Sequence, residues 1–171
     1  MQCAKGGSAL NELAETNNWG NWSANGKLLQ SSFTKIDAAI SKTKNTVTAI
    51  IWSQGENDGT SIGTGVITEK AYENSLIELI KSYKNKYGEN LPFIIIQTGR
   101  HFSCEKCDDG FTIVRGIQRK VANKMKGVSI GYSKTDFFEQ NNHMIDAVHY
   151  NQEALNEIGK ELAGFLLKNN I

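Results

Sequence analysis

Residues 48–59, Thr-Ala-Ile-Ile-Trp-Ser-Gln-Gly-Glu-Asn-Asp-Gly, constrain this chain more than any other stretch. The stretch opens as an apolar, β-branched run, which predicts a buried strand. It then breaks into Gln54, Gly55, Glu56, Asn57 and Asp58. Open α/β sheets hold ligands where a buried parallel strand ends in a polar, Gly-containing loop. Gly55 lets the backbone turn tightly or approach a ligand. Gln54 and Asn57 carry neutral carboxamide N–H donors, suited to a developing oxyanion. An ordinary turn accounts for Asn-Asp-Gly equally well, so this stretch alone leaves both readings open.

Around it, strand and helix patterns alternate. Residues 1–8 read as a short strand running into Gly6-Gly7-Ser8, and residues 9–25 as an irregular loop with Trp19 and Trp22. Residues 27–42 carry Leu28, Leu29, Phe33, Ile36, Ala39 and Ile40 at helical spacing. The central strand is expected over 46–52, and a loop over 59–68. A helix is expected from Thr68, a capping residue, to Gly88. Residues 91–98 are the clearest strand, with Pro92 at its start, where a missing N–H does least harm. After a loop over 99–110 come a helix over 111–125, a strand over 128–132, a long connection over 133–148 and an amphipathic helix over 151–168. This alternation predicts an α/β class with a parallel sheet, built as a single domain over 1–171.

Composition excludes several function classes. The 171 residues carry a net charge of +1, with Lys and Arg scattered rather than clustered, so there is no electrostatic footprint for nucleic acid. No apolar run approaches a membrane span. The first seven residues contain no signal-peptide apolar core, which leaves the compartment open. No glycine-rich phosphate loop precedes a helix, which argues against a nucleotide binder. Cys104-Glu105-Lys106-Cys107 stands alone with His101 nearby, too few ligands for structural zinc. A local disulfide or two free thiols is expected there, with no helix starting at Cys104. No metal or cofactor is expected.

Two further groups carry possible chemistry. In Asp146-Ala147-Val148-His149 the carboxylate can hold one ring nitrogen and leave the other as a general base. A surface Asp beside a helix-capping His is the alternative. Gly7, after the first strand pattern, can turn its N–H toward an oxyanion, or can simply turn the chain. Trp52, ending an apolar run, reads as core, while Trp19 and Trp22, in polar sequence, read as rim residues able to stack on a sugar.

Taken in order, four stretches resemble the SGNH hydrolases, in particular the branch of sialic-acid O-acetylesterases and family 6 carbohydrate esterases. Cys3-Ala4-Lys5-Gly6-Gly7-Ser8 is similar to the branch's C-A-x-G-G-T/S segment. Trp52-Ser53-Gln54-Gly55-Glu56-Asn57-Asp58 is similar to W-x-Q-G-E-S-D, and residues 91–97 to its next core strand. Asp146-Ala147-Val148-His149 matches the D-x-x-H that closes such domains. The resemblance implies a flavodoxin-like three-layer α/β/α fold and a serine-type O-acetylesterase acting on acetylated glycan, sialic acid or xylan-like. It implies His149 as general base, Asp146 as its orienting partner, and Gly7 as one oxyanion donor. The second donor is Asn57 by the broader G-x-N-D pattern or Gln54 by the branch's Q-G-E wording; Glu56 has a supporting role beside them. The family's nucleophilic serine sits in a G-Q-S-N or G-D-S block on a strand before C-A-x-G-G, and no such block occurs in these residues. The domain is therefore expected to be N-terminally incomplete, with a gap between the strands through Cys3 and Ile51. Three accounts stand open. The strand and its serine come from an upstream segment or a partner chain; the chain is a non-catalytic glycan-binding or structural relative that pairs its second and third strands directly; or Ser8 is a substitute nucleophile.

Overall fold

The computed structural model describes all of residues 1–171. Three strands, β1 (Ile50–Ser53), β2 (Phe93–Ile96) and β3 (Val128–Tyr132), form one parallel sheet in the order β1-β2-β3. Ile50 pairs with Phe93 and Ser53 with Ile96 across the first ladder; a register irregularity after Ile95 shifts the second so that Ile96 meets Tyr132. Between the strands run α1 (Lys27–Thr43), α2 (Glu56–Gly63), α3 (Glu69–Tyr87), α4 (Glu105–Lys124) and α5 (Gln152–Lys168).

The two faces of β2 divide the core into layers. Phe93 and Ile95 point into a cluster with Trp52, Leu29 and Ile36 of α1, Leu76 and Ile80 of α3, and Val114 and Val121 of α4. Ile94 and Ile96 point the other way, onto Ala154, Ile158 and Leu162 of α5. All four β2 residues are buried, as expected for a central parallel strand covered by helices on both faces. The architecture is three-layer α/β/α, the class expected from the alternating pattern.

Several local expectations are corrected. The loop over 59–68 is helical up to Gly63, because α2 packs backbone to backbone on α4. A Cβ on Gly110 would sit 1.9 Å from the Gly59 carbonyl oxygen, and one on Gly63 1.8 Å from that of Lys106. Close packing outweighs the poor helix propensity of glycine. α4 begins at Glu105, six residues before its apolar repeat declares itself. Cys104 caps it, its Sγ accepting the Cys107 N–H at 3.3 Å, and the two cysteines form a disulfide. Trp22 is core rather than rim: it is buried edge-on against Trp52. Trp52 is buried, as its apolar run indicates.

Two expected strand segments do not form. Residues 1–5 are irregular, and the strand expected from 46 begins at Ile50. Neither residues 1–4 nor residues 46–49 make a backbone hydrogen bond to the rest of the chain. The N-terminal segment does not pair with β1, so direct pairing does not close the gap between them. An open cleft of about 600 Å³ lies there instead.

Candidate functional site at the carboxyl edge of the sheet

All three strands deliver their chain to the same edge, where the singled-out residues gather. β1 ends at Ser53, Gln54 follows, and Gly55 turns the chain into α2 at a φ of 157°. Gly55 packs on Val114 and Thr98, where a Cβ would lie 2.8 Å from Val114. Glu56 opens α2 and accepts the Gly55 N–H at 3.0 Å. An acidic first turn suits the positive end of the helix dipole.

Beneath this turn lies a buried polar knot that the sequence did not announce. Asp58, fully buried, accepts the N–H groups of Leu10 at 2.7 Å and Asn11 at 2.8 Å. It also accepts Gln54 Nε2 at 2.7 Å. Burial is the main influence on its carboxyl and pushes the pKa up to about 6, against the lowering effect of those three donors. The second Nε2 hydrogen of Gln54 reaches the Ser8 carbonyl at 3.3 Å, so both its donor hydrogens are committed inside. From α4, Gln118 donates to the Gln54 carbonyl at 3.1 Å and accepts the Thr98 N–H at 3.4 Å, joining the ends of β1 and β2. Asp58 was visible in the motif, but its partners are 47 and 48 residues away, and no local pattern pairs them.

Asn57 lies above the knot, half-buried. Its Nδ2 donates to the Gly7 carbonyl at 2.5 Å and to Thr16 Oγ1 at 3.3 Å. Gly7 adopts φ +71°, and the Trp19 ring covers it so closely that a Cβ would lie 2.0 Å from the indole. Both constraints require glycine. The Gly7 N–H has no acceptor in the chain. Trp19 itself is 43% exposed, which matches its reading as a rim residue. Ser8 is only 6% exposed. Its Oγ donates to the Lys5 carbonyl at 2.7 Å and accepts Trp22 Nε1 at 2.8 Å. Its one proton is thus committed, which counts against Ser8 as a substitute nucleophile.

Asp146 and His149 form a compact turn closed by the Met144–Tyr150 bridge and the Ile145 N–H to His149 carbonyl bond of 2.8 Å. Asp146 Oδ1 accepts the N–H groups of Val148 at 2.9 Å and His149 at 2.8 Å. Its carboxylate also faces His149 Nδ1, at 2.8 Å from Oδ2. The two backbone donors and then the ring hold the Asp146 pKa down at about 2. Beside an ionised carboxylate Nδ1 carries the proton, which leaves Nε2 as the free base nitrogen. The His149 side chain is 77% exposed.

This turn is tied to the same edge. The Phe102 N–H donates to the Ala147 carbonyl at 3.3 Å. The Tyr150 ring stands edge-on to Phe138, and its phenol abuts Gly99, just beyond β2. Burial, with help from the Glu56 charge, raises the Tyr150 pKa, so the turn feels the first turn of α2. Arg115 braces the intervening loop by donating to the Gly99 carbonyl and to Thr112 Oγ1. Arg100 pairs with Asp108 at 2.7 Å and with Glu139 at 3.4 Å. Tyr150 and Arg115 carry no sequence signal for these roles.

A three-layer α/β/α fold with a glycine-led turn, a carboxamide and an Asp–His pair along the carboxyl edge of its parallel sheet belongs to the class of open α/β folds, which hold ligands at that edge. The family described as carbohydrate esterase, sialic acid-specific acetylesterase matches residues 1–168, and the chain belongs to it. Comparison with curated proteins gives no match. The family points to an acetylated carbohydrate as the substrate class. No helix is long and apolar enough to cross a membrane.

Proposed function

We propose that the chain is the base- and oxyanion-bearing part of a serine-type O-acetylesterase for acetylated carbohydrate, with O-acetylated sialic acid as its substrate. The observation that carries this is the Asp146–His149 pair, oriented to leave Nε2 free and exposed. In the reaction, Nε2 takes the proton of an attacking serine hydroxyl as the oxygen adds to the acetyl carbonyl. The tetrahedral oxyanion rests on the unpaired Gly7 N–H and on Asn57 Nδ2, which gives up its long bond to Thr16. Collapse expels the sugar hydroxyl, which takes the proton from His149, and water then releases acetate by the same steps. Asn57 rather than Gln54 is the carboxamide donor, since Gln54 is buried against Asp58 while Asn57 is only half-buried. Glu56 orients the Gly55 turn. The nucleophile is not Ser8; it arrives on a segment from outside residues 1–171 that runs alongside β1 to the carboxyl edge.

The test is release of p-nitrophenol from p-nitrophenyl acetate by the chain mixed with a strand peptide ending in Gly-Gln-Ser-Asn. Hydrolysis that depends on the peptide serine and vanishes in His149→Ala is expected. Equal rates in that variant would end the proposal. A second reading, glycan binding without turnover, is favoured by one observation, the exposed Trp19 ring over Gly7. Sialic acid binding that Trp19→Ala abolishes, with no acetate released under any mixture, would select it.

A further inference from the structure

The Cys104–Cys107 bridge takes no part in the acetyl-transfer chemistry, yet it lies where the loop from the carboxyl end of β2 enters α4. The sequence shows no helix pattern at Cys104, but α4 opens at Glu105 with Cys104 as its N-cap. Cys107 then falls in the first turn, three residues on. Both sulfurs sit at the positive end of a 20-residue helix, where a thiolate is favoured over a neutral thiol. The Cys107 N–H, a donor that a helix start leaves without an intrahelical partner, already points at Cys104 Sγ at 3.3 Å. Of the two carboxylates in that turn, Asp108 is paired with Arg100 and Glu105 is followed by Lys106, so charge in the turn balances.

Three further observations separate an exchangeable bridge from a purely structural one. The two cysteines are unequally reachable. Cys107 is 5% exposed, with its backbone against Gly63 where α2 meets α4, whereas Cys104 is half-buried on the loop side. An incoming thiol therefore meets one sulfur and not the other. The bridge spans only Glu105 and Lys106, so it restrains the unfolded chain weakly. The first turn is also held without it. Asp108 accepts Arg100 Nη2 at 2.7 Å and the His101 N–H at 3.0 Å. The Cys104 N–H bonds the His101 carbonyl at 3.2 Å, and the Asp108 N–H bonds the Cys104 carbonyl at 2.9 Å. None of these bonds uses sulfur, so α4 keeps its start with the bridge open or closed.

We propose that Cys104–Cys107 is a thiol-exchange site, opened and closed by a small thiol from solution, with Cys104 as the sulfur attacked. A thiolate adds to Cys104 Sγ as the Cys104–Cys107 bond breaks, and the electron pair leaves on Cys107, which takes a proton. A second thiolate attacks the outer sulfur of the mixed disulfide and releases Cys104 as a thiolate. In sum two small thiols are oxidised to their disulfide and the bridge is reduced to two thiols; the small disulfide reverses the sequence. Opening frees the loop over 101–104 from the helix start. That loop touches the Asp146–His149 turn, because the Phe102 N–H donates to the Ala147 carbonyl at 3.3 Å. The redox state of the bridge thus sets the order of the rim at the carboxyl edge. The site stands on its two sulfurs and does not depend on ester hydrolysis.

The test adds reduced glutathione to the full chain of 171 residues. At millimolar concentration it should open the bridge in the folded protein, read by mass spectrometry as alkylation of Cys104 and Cys107, and oxidised glutathione should close it again. Peptide mapping separates both from Cys3, the free thiol. On opening, amide exchange should quicken by about tenfold or more at residues 101–104 while β2 keeps its protection. In Cys107→Ser the remaining Cys104 should form a mixed disulfide with oxidised glutathione about tenfold faster than Cys107 does in Cys104→Ser. The wild-type measurement stands whether or not the variants fold. Three results overturn the proposal: a bridge that resists glutathione until urea unfolds the chain, equal reactivity of the two cysteines, or loss of protection in β2 when the bridge opens.

Discussion

Two aspartates 88 residues apart show how differently this chain uses one side chain. Asp58 is buried and accepts hydrogen bonds from Leu10 and Asn11 on one segment and from Gln54 on another. Asp146 is exposed, and all its partners lie within the next three residues. The two pKa values move apart accordingly, to about 6 for Asp58 and about 2 for Asp146. Desolvation dominates the first and local hydrogen bonds the second. The contrast separates a carboxylate that ties distant segments together from one that holds the neighbouring imidazole.

That separation is open to attack at several strengths. The largest expected effect is on rate: His149→Ala should lower acetate release by about 10³-fold, with the midpoint of thermal unfolding unmoved. A matching loss of stability would mean that the turn is structural after all. Next, Asp58→Ala leaves three buried donors without an acceptor and should destabilise the fold by ~3 kcal/mol, read from urea unfolding. Asp146→Asn should lower the urea midpoint at neutral pH by less than Asp58→Ala does, because its partners are local and solvated.

The pH dependence should also differ in sign. Asp58 has a raised folded pKa, so its contribution is fully present below its unfolded value of 3.8 and is lost as pH rises through about 6. Over that window it should remove about 3 kcal/mol of stability, and Asp58→Asn should flatten the slope. Asp146 has a depressed pKa, so its contribution is present above 3.8 and is lost as pH falls toward about 2. Urea titrations from pH 2 to 8 on the wild type and both Asn variants would show it. A wild-type curve that rises between pH 4 and 7 would break the assignment for Asp58. The smallest effect concerns the Cys104–Cys107 disulfide, which closes a short loop. Replacing both with Ser should cost about 2 kcal/mol at most. Exchange should quicken at residues 101–104 more than in the Asp146–His149 turn, which holds itself.

The same contrast explains what could be read early. The Asp146–His149 pair was legible because its geometry lies within four consecutive residues. The cap at Thr68 was legible for the same reason: it accepts the N–H three residues on, from Ala71. The strand β2 was legible because both its faces are buried, so its apolar run is unbroken. The start of α4 was not, because its first turn, Glu105 to Asp108, is held by a disulfide and by the Asp108 bonds to Arg100 and His101 rather than by an apolar stripe. Trp22 read as a rim residue because its neighbours are polar, yet its ring meets Trp52 from 30 residues away.

By itself the sequence determined the alternation of strand and helix, the parallel class of sheet, and the turn that presents His149. These depend on neighbours a few positions apart, where side-chain type and spacing act directly on the backbone. Only the tertiary structure decided that Gln54 is tied down by Asp58 while Asn57 is the more open carboxamide, and that Ser8 is sealed under Trp22. It also decided that residues 1–5 and 46–49, patterned as strands, stay irregular. A helix closes its hydrogen bonds within its own segment, whereas a strand exists only beside another strand, and along the free edge of β1 these residues have none.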